Sequence, residues 1–254
     1  EALGVMDIGN HHFVSAQRTQ LAAALSGTVD DALPRVVFGV SGGEATDVAI
    51  KAARGATGRS KIVSVHGGYH GHTGLALAAG DAAFRDPFGP NLPGFVQVPF
   101  NDVAAMESAV DGETAAVILE AVPATLGMPI PEPGYFAAVR KLCDQHGARL
   151  LVDEVQTGLG RTGRWWGIQH EDVVPDALIT GKGLSGGIYP ISATLLTKEM
   201  HEVLDSESNP FVHISTYGGA ELGCVAARTV LDIVGAPGFL DHVNTLSERF
   251  ASEL

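Results

Sequence analysis

Short apolar runs alternate with longer helical patterns through the middle of the chain. Four runs rich in β-branched and aliphatic residues predict strands: 61–65 (KIVSV), 115–120 (AAVILE), 149–153 (RLLVD) and 177–180 (ALIT). Most of these runs are apolar throughout, which is typical of strands covered on both faces of a parallel sheet. A further strand-like run at 36–40 leads into Ser41.

Helical patterns lie between and beside these strands. They cover 44–54, 103–110, 134–146 and 220–234, with two further candidates at 17–25 and 240–254. Strands and helices in alternation predict an α/β fold, with a mostly parallel sheet flanked by helices.

The composition argues against several classes of partner. Lys and Arg number 16 against 29 Asp and Glu, which gives a formal net charge of −13 and disfavours nucleic acid or an anionic membrane surface as a partner. The two cysteines, Cys143 and Cys224, stand far apart, which predicts buried thiols and a reducing, cytoplasmic compartment. The sequence has no basic leader and no apolar run of roughly twenty residues, so we expect no membrane span.

Glycines gather at the ends of the predicted strands, where they let a backbone approach a ligand closely. Ser41, Gly42 and Gly43 follow the run 36–40 and precede a helical pattern. Unpaired amides and the helix dipole at such a start favour phosphate, although a plain tight turn explains the same residues. The segment is neither GxGxxG nor a P-loop, so dinucleotides and ATP fit poorly.

Two further strand ends carry a charged residue. Asp153 closes the run 149–153, at the edge where parallel strands form a ligand crevice. An acid there needs a cationic partner, such as a protonated pyridine nitrogen, a metal or an arginine; alternatively it caps the next turn. Lys182 follows the run 177–180 between two glycines, which leave room for a planar ring joined to the amine, although a surface-turn lysine is the simpler alternative.

The three features together indicate a cofactor. A phosphate cradle, a buried acid and an accessible amine at the strand ends of one sheet are what pyridoxal phosphate requires. Five ordered segments also resemble the class III aminotransferases, the ω-amino-acid, acetylornithine and GABA group of fold type I pyridoxal-phosphate enzymes. These segments are SGGEATDVAIKAARGATGRSKIV (41–63), GGYHG (67–71), LLVDEVQTGLGRTG (150–163), ITGKGLSGGIYPISA (179–193) and HISTYGGAELGC (213–224).

The resemblance implies roles for the residues at the strand ends. Lys182 becomes the Schiff-base residue and general base, Asp153 the partner of the pyridinium nitrogen, and Gln156 the group near the ring's phenolic oxygen. Gly42 and Gly43 match the pair whose amides bind phosphate; the family usually has Ser or Thr where Gly43 stands, so one hydroxyl contact is missing.

Three more residues take roles from the resemblance. Tyr69 matches the aromatic residue that stacks on the ring, and Thr216 the threonine that reaches the phosphate of the neighbouring subunit's cofactor. Glu120 matches a strand-end glutamate near the substrate, which in many relatives pairs with an arginine. A homodimer with shared active sites is therefore expected.

The resemblance also implies a domain plan and a reaction. Residues 1–35 are expected to be an incomplete N-terminal segment, 36–236 a large pyridoxal-phosphate-binding domain with a seven-stranded sheet, and 237–254 the start of a mostly absent small domain. The expected reaction moves an amino group between a small-molecule amine or amino acid and a keto acid or aldehyde. Racemases, epimerases, aminomutases and decarboxylases of the same group share the lysine and aspartate and remain alternatives, as does a non-catalytic truncated relative.

Several other residues are set aside. Asp7, His11 and His12 hint at a metal site, but Gly9 and Asn10 argue against the helix that would bring them together, so no metal is expected. Trp165 and Trp166 are interpreted as packing residues. His66, His70 and His72 surround Tyr69, so one of them is a candidate to line the pocket, but solvated loop histidines are the default interpretation.

Overall fold

A computed structural model of the chain describes residues 14–207, 209 and 211–253. Strands and helices alternate along most of this length, as the hydrophobic pattern predicts. The elements are α1 (Ala16–Gly27), β1 (Arg35–Gly39), α2 (Gly42–Thr57), β2 (Lys61–Val65), α3 (Gly74–Ala79), α4 (Ala82–Arg85), β3 (Phe95–Val98), α5 (Val103–Ala109), β4 (Thr114–Glu120), α6 (Tyr135–His146), β5 (Arg149–Asp153), β6 (Ala177–Thr180), β7 (Ser192–Leu196), α7 (Lys198–Glu202), α8 (Glu221–Val234) and α9 (Phe239–Glu253).

Seven strands of the described chain form one sheet, in the order β1-β7-β6-β5-β4-β2-β3. β7 runs antiparallel to β1 and β6, whereas the other neighbouring pairs are parallel. The predicted α/β fold with a mostly parallel, helix-flanked sheet is confirmed. The parallel strands β4, β5 and β6 end side by side, which places Glu120, Asp153 and Thr180 at one edge of the sheet.

Both faces of the sheet are buried, which explains why its strands lack an alternating pattern. In β4, Val117 and Leu119 belong to one apolar cluster, while Ala116 and Ile118 belong to another. The first cluster includes side chains of α1, α5, α6 and α8, and the second includes side chains of α2, α3 and α7. The sheet is thus the middle layer between helices.

The predicted strands at 61–65, 115–120, 149–153 and 177–180 are confirmed to within one residue, but β3 and β7 were not predicted. β3 is a four-residue edge strand, and β7 begins with small residues and pairs with strands distant in sequence. The helices α3, α4 and α7 span four to six residues, too few to produce a periodic pattern.

The cysteines and Trp166 pack in the interior, as predicted. Cys143 and Cys224 are buried and form no disulfide, and burial raises the pKa of each thiol to about 12. Trp166 is fully buried, and its indole Nε1 donates a hydrogen bond to Thr28 Oγ1 at 2.9 Å.

None of the described helices is by itself long and apolar enough to cross a membrane; Glu221–Val234 and Phe239–Glu253 meet the length and composition criterion only as a pair bent by 65°.

Candidate active site

A cavity of about 600 Å³ opens at the carboxyl ends of β4, β5 and β6. It brings together all but one of the residues predicted for the site. These are Gly42, Gly43, Tyr69, Glu120, Asp153, Gln156 and Lys182.

Lys182 projects its amine into this cavity from the turn that follows β6. Its Nζ donates a hydrogen bond to Gln156 Oε1 at 2.7 Å. The backbone of Lys182 has φ +34°, a conformation that residues other than glycine rarely adopt and that costs about 1–3 kcal/mol. This conformation sets the direction of the Cα–Cβ bond, and the hydrogen bond to Gln156 holds the amine at the far end of the side chain.

Asp153 is held by two hydrogen bonds at the end of β5, with 5% of its side chain exposed. The backbone N–H of Val155 donates to Oδ1 at 3.0 Å, and His70 Nδ1 donates to Oδ2 at 2.8 Å. The interpretation of His70 as a solvated loop histidine is therefore wrong, because its side chain is fully buried against Asp153. His66 and His72 are exposed, as predicted.

Glu120 is a second buried carboxylate beside this pair. It accepts hydrogen bonds from the backbone N–H groups of Tyr69 at 3.0 Å and Ala124 at 3.2 Å, so it ties together two loops of the cavity wall. Burial is the main cause that raises the pKa of Glu120, and the charge of Asp153 acts in the same direction. Burial lowers the pKa of His70, but the hydrogen bond to Asp153 and the charges of Asp153 and Glu120 outweigh it and raise that pKa.

The residues predicted to form an anion cradle lie at the start of α2. Ser41 caps the helix, and its hydroxyl accepts a hydrogen bond from the Glu44 N–H at 3.2 Å. The amides of Gly42 and Gly43 in the first turn have no partner within the helix, and the dipole of a sixteen-residue helix adds partial positive charge there.

Glycine is required at position 71 because the loop that follows β2 crosses directly over the start of α2. A Cβ added to Gly71, whose φ is +123°, would lie 2.6 Å from Gly43 Cα. A Cβ added to Gly43 would lie 2.9 Å from Thr73 Oγ1. Position 43 therefore lacks the hydroxyl that the family usually has there, and the Thr73 side chain occupies the adjoining space.

Tyr69 lies on the cavity wall, where its ring makes edge-to-face contacts with the rings of Phe84 and His72 at centroid distances of 5.2 and 5.3 Å. Thr216 does not line this cavity. It lies in a neighbouring depression of about 430 Å³ that also includes Ser41 and Thr73, so its role toward a neighbouring subunit stays a prediction.

Two residues of the site, His70 and Thr73, were not among the predicted site residues. His70 and Thr73 lack any pattern that separates them from ordinary loop residues, since only the folded loop brings them to Asp153 and Gly43. Asp7, His11 and His12, which were set aside as a metal site, fall outside the described residues.

Comparison with known proteins gives one consistent result. A family model described as aminotransferase class-III matches residues 6–254. The chain is 55% identical over 254 residues to an uncharacterized aminotransferase of Archaeoglobus fulgidus, covering all of this chain and 59% of that protein. It is 40% identical over 245 residues to the acetylornithine aminotransferase of Methanopyrus kandleri, covering 95% of this chain and 62% of that protein.

A solved structure extends the likeness to three dimensions. The ornithine aminotransferase of Toxoplasma gondii, which has pyridoxal phosphate at partial occupancy in its active site, superposes with a TM-score of 0.90 at 30% identity. The match covers 98% of this chain and 60% of that one. The chain therefore spans about three fifths of the length of the relatives that it matches.

Proposed function

The chain belongs to the class-III aminotransferase family, and on that premise we propose that it forms the pyridoxal-phosphate-binding part of an aminotransferase. The reaction moves an amino group between a small-molecule amine or amino acid and a keto acid or aldehyde. One observation carries the proposal: the Lys182 amine, the Asp153 carboxylate and the first amides of α2 all face one cavity.

The chemistry of the cavity fits this cofactor part by part. The free amides of Gly42 and Gly43 suit the phosphate, since an anion is favoured at a helix start. Asp153 is an acid that suits a protonated ring nitrogen, and Tyr69 offers an aromatic face on the cavity wall. Gln156, which accepts a hydrogen bond from Lys182, suits the phenolic oxygen.

Bound pyridoxal phosphate would supply an electron-withdrawing ring that stabilises negative charge on the carbon beside the amino group. Lys182 would bond covalently to the cofactor and, when released, would remove and return protons at Nζ. Asp153 would keep the ring nitrogen protonated, because an ionised carboxylate favours a nearby cation. Gln156 would hold the lysine amine in the cavity while substrate is bound.

The partner in this proposal is a second copy of the chain. Thr216 lies outside the cavity of its own chain, as expected of a residue that serves a neighbour. Large apolar side chains of the same segment are exposed, with Phe211 at 62%, Val212 at 44% and Tyr217 at 58%. A homodimer with shared sites would cover them. The two buried cysteines form no disulfide, which favours a reducing cytoplasm.

The cofactor link is tested by trapping. We expect borohydride treatment of the full chain with pyridoxal phosphate to add one reduced cofactor, and peptide mapping to place it on Lys182. Lys182→Arg should abolish the adduct, because a guanidinium does not form the bond. Lys198→Arg, at an exposed lysine of α7, is the matched control and should leave it unchanged. An adduct on any other lysine, or none, overturns the proposal.

The reaction class is tested by the need for an acceptor. A panel of amino donors should react only when 2-oxoglutarate or another keto acid is present, and Asp153→Ala should keep the trapped adduct but depress transfer strongly. Turnover of one amino acid without any acceptor would instead indicate a racemase, aminomutase or decarboxylase.

A further inference from the structure

Thr73 stands at the start of α3, a position where a threonine usually caps the helix by accepting a hydrogen bond from a backbone N–H. Its side chain makes no such bond, and its hydroxyl has no hydrogen-bond partner among the described residues. The N–H group that it would cap is satisfied by another residue, because Asp47 Oδ1, on α2, accepts the hydrogen bond of the Ala76 N–H at 2.8 Å. The Thr73 hydroxyl is therefore free for another acceptor.

The Thr73 side chain lies against the first turn of α2. A Cβ added to Gly43 would stand 2.9 Å from Thr73 Oγ1 and 3.3 Å from its Cγ2, so Thr73 fills the space that a short side chain of residue 43 would fill. Thr73 and Ser41 line both the cavity that includes Lys182 and the depression that includes Thr216. The free hydroxyl thus lies beside the unpaired amides at the start of α2.

An anion at this corner of the cavity would depend chiefly on backbone amides and hydroxyls. Among the described residues no arginine lines the cavity, and the Lys182 amine is bonded to Gln156. The Ser41 hydroxyl is engaged as the cap of α2. A hydroxyl can donate as well as accept, and a hydrogen bond to an ionised acceptor is stronger than one to a neutral acceptor. Thr73 is therefore suited to add a donor to those of the helix start.

We propose that Thr73 is a cofactor-binding residue whose hydroxyl donates a hydrogen bond to the phosphate of bound pyridoxal phosphate. The loop after β2 thereby supplies a hydroxyl that position 43, a glycine, does not have. The inference rests on the proposed function, since it assumes that this cofactor occupies the cavity. It assigns to Thr73 an effect on the phosphate alone, and not on the ring.

This effect is tested by comparing two ligands, pyridoxal phosphate and pyridoxal, which lacks the phosphate. The full chain is titrated with each, and the ratio of the two dissociation constants gives the preference for the phosphate. Thr73→Val keeps the branched shape without the hydroxyl and should reduce this preference by about 10- to 100-fold, the contribution of a hydrogen bond to a charged group. Thr73→Ser, which keeps the hydroxyl, should retain the preference.

Thr125→Val is the matched control. Thr125 lines the same cavity, but its hydroxyl already donates a hydrogen bond to the Gly67 carbonyl at 2.6 Å, so the preference should not change. The affinity for pyridoxal reports whether each variant is folded, because this ligand needs the cavity but has no phosphate.

Moving the hydroxyl to residue 43 tests the same point in reverse. Thr73→Ala should lose the preference as Thr73→Val does, and adding Gly43→Ser to it should restore part of the preference. The double variant has room for the new side chain, because the nearest remaining atom, the backbone nitrogen of residue 73, lies 3.5 Å from the added Cβ.

Two results would overturn the inference. One is a Thr73→Val variant that keeps the wild-type preference or weakens both ligands equally, and the other is a double variant that restores none of the preference. Failure of the proposed function gives a different result, in which wild type itself binds neither ligand.

Discussion

Glu154 is a buried carboxylate next to the site, and we expect Glu154→Gln to change how the stability of the chain depends on pH. Only 1% of the residue is exposed. Its carboxylate accepts hydrogen bonds from the Ile168 N–H at 2.7 Å and from the Thr157 hydroxyl, so it joins the turn after β5 to the segment that follows Trp166. Burial is the largest influence and raises the pKa of Glu154 from 4.5 to about 7, although its hydrogen bonds lower it.

The sign and size of the effect follow from this pKa. The folded chain binds the Glu154 proton more tightly than the unfolded chain, so the stabilisation is fully present below about pH 4.5. It is lost as the pH rises to about 7, where the folded carboxylate also ionises. At about 1.4 kcal/mol per pH unit, the interval between 4.5 and 7 corresponds to about 3 kcal/mol.

Urea unfolding of the cofactor-free chain at pH 4.5 to 8, followed by tryptophan fluorescence, measures the effect. Because other carboxylates titrate as well, the quantity of interest is the unfolding free energy of wild type minus that of Glu154→Gln. This difference should fall by about 3 kcal/mol across the interval. The unfolding free energy of Glu113→Gln, a change at an exposed glutamate before β4, should depend on pH as that of wild type does. A Glu154→Gln curve parallel to wild type would refute the reasoning.

Three further predictions concern packing. Gly71→Ala should weaken pyridoxal phosphate binding at least tenfold, measured by titration, because its Cβ would meet Gly43 Cα at 2.6 Å and its φ of +123° is unsuited to alanine; unchanged affinity would contradict the tight cradle. Trp166→Ala should lower the unfolding free energy by about 3–5 kcal/mol in urea titrations, since the indole is fully buried; a loss below 1 kcal/mol would contradict its core position. The thiols of Cys143 and Cys224, whose pKa burial raises to about 12, should react with a disulfide reagent only on unfolding, and rapid labelling of the folded chain would contradict that burial.

Most of the fold could be predicted from local pattern. The run AAVIL of β4, which precedes Glu120, is apolar at every position because alternate side chains enter cores on opposite faces of the sheet, and such a run is visible without any partner. The start of helix α2 is recognisable in the sequence from Ser41, which caps it, and Glu44, which lies in its first turn. β7 could not be found in this way, because its short run SATLL becomes a strand by pairing with β1 and β6.

Some residues of the candidate site could likewise be predicted from local pattern, and others could not. Asp153 and Lys182 were predicted because each follows an apolar strand, and the ends of parallel strands meet at one edge. Thr216 was predicted from the resemblance alone, and the structure places it in the neighbouring depression, outside the cavity that holds Lys182 and Asp153.

The sequence by itself determined the strands β1, β2, β4, β5 and β6, the main helices and the position of the acid and the amine at strand ends, because these depend on neighbours along the chain. The tertiary structure decided that His70 is buried against Asp153, that Lys182 rests on Gln156, and that Gly43 lies under a crossing loop. Each of these contacts joins residues far apart in sequence. Their pairing depends on how loops close over the sheet, and no local pattern of hydrophobic and polar residues encodes that closure.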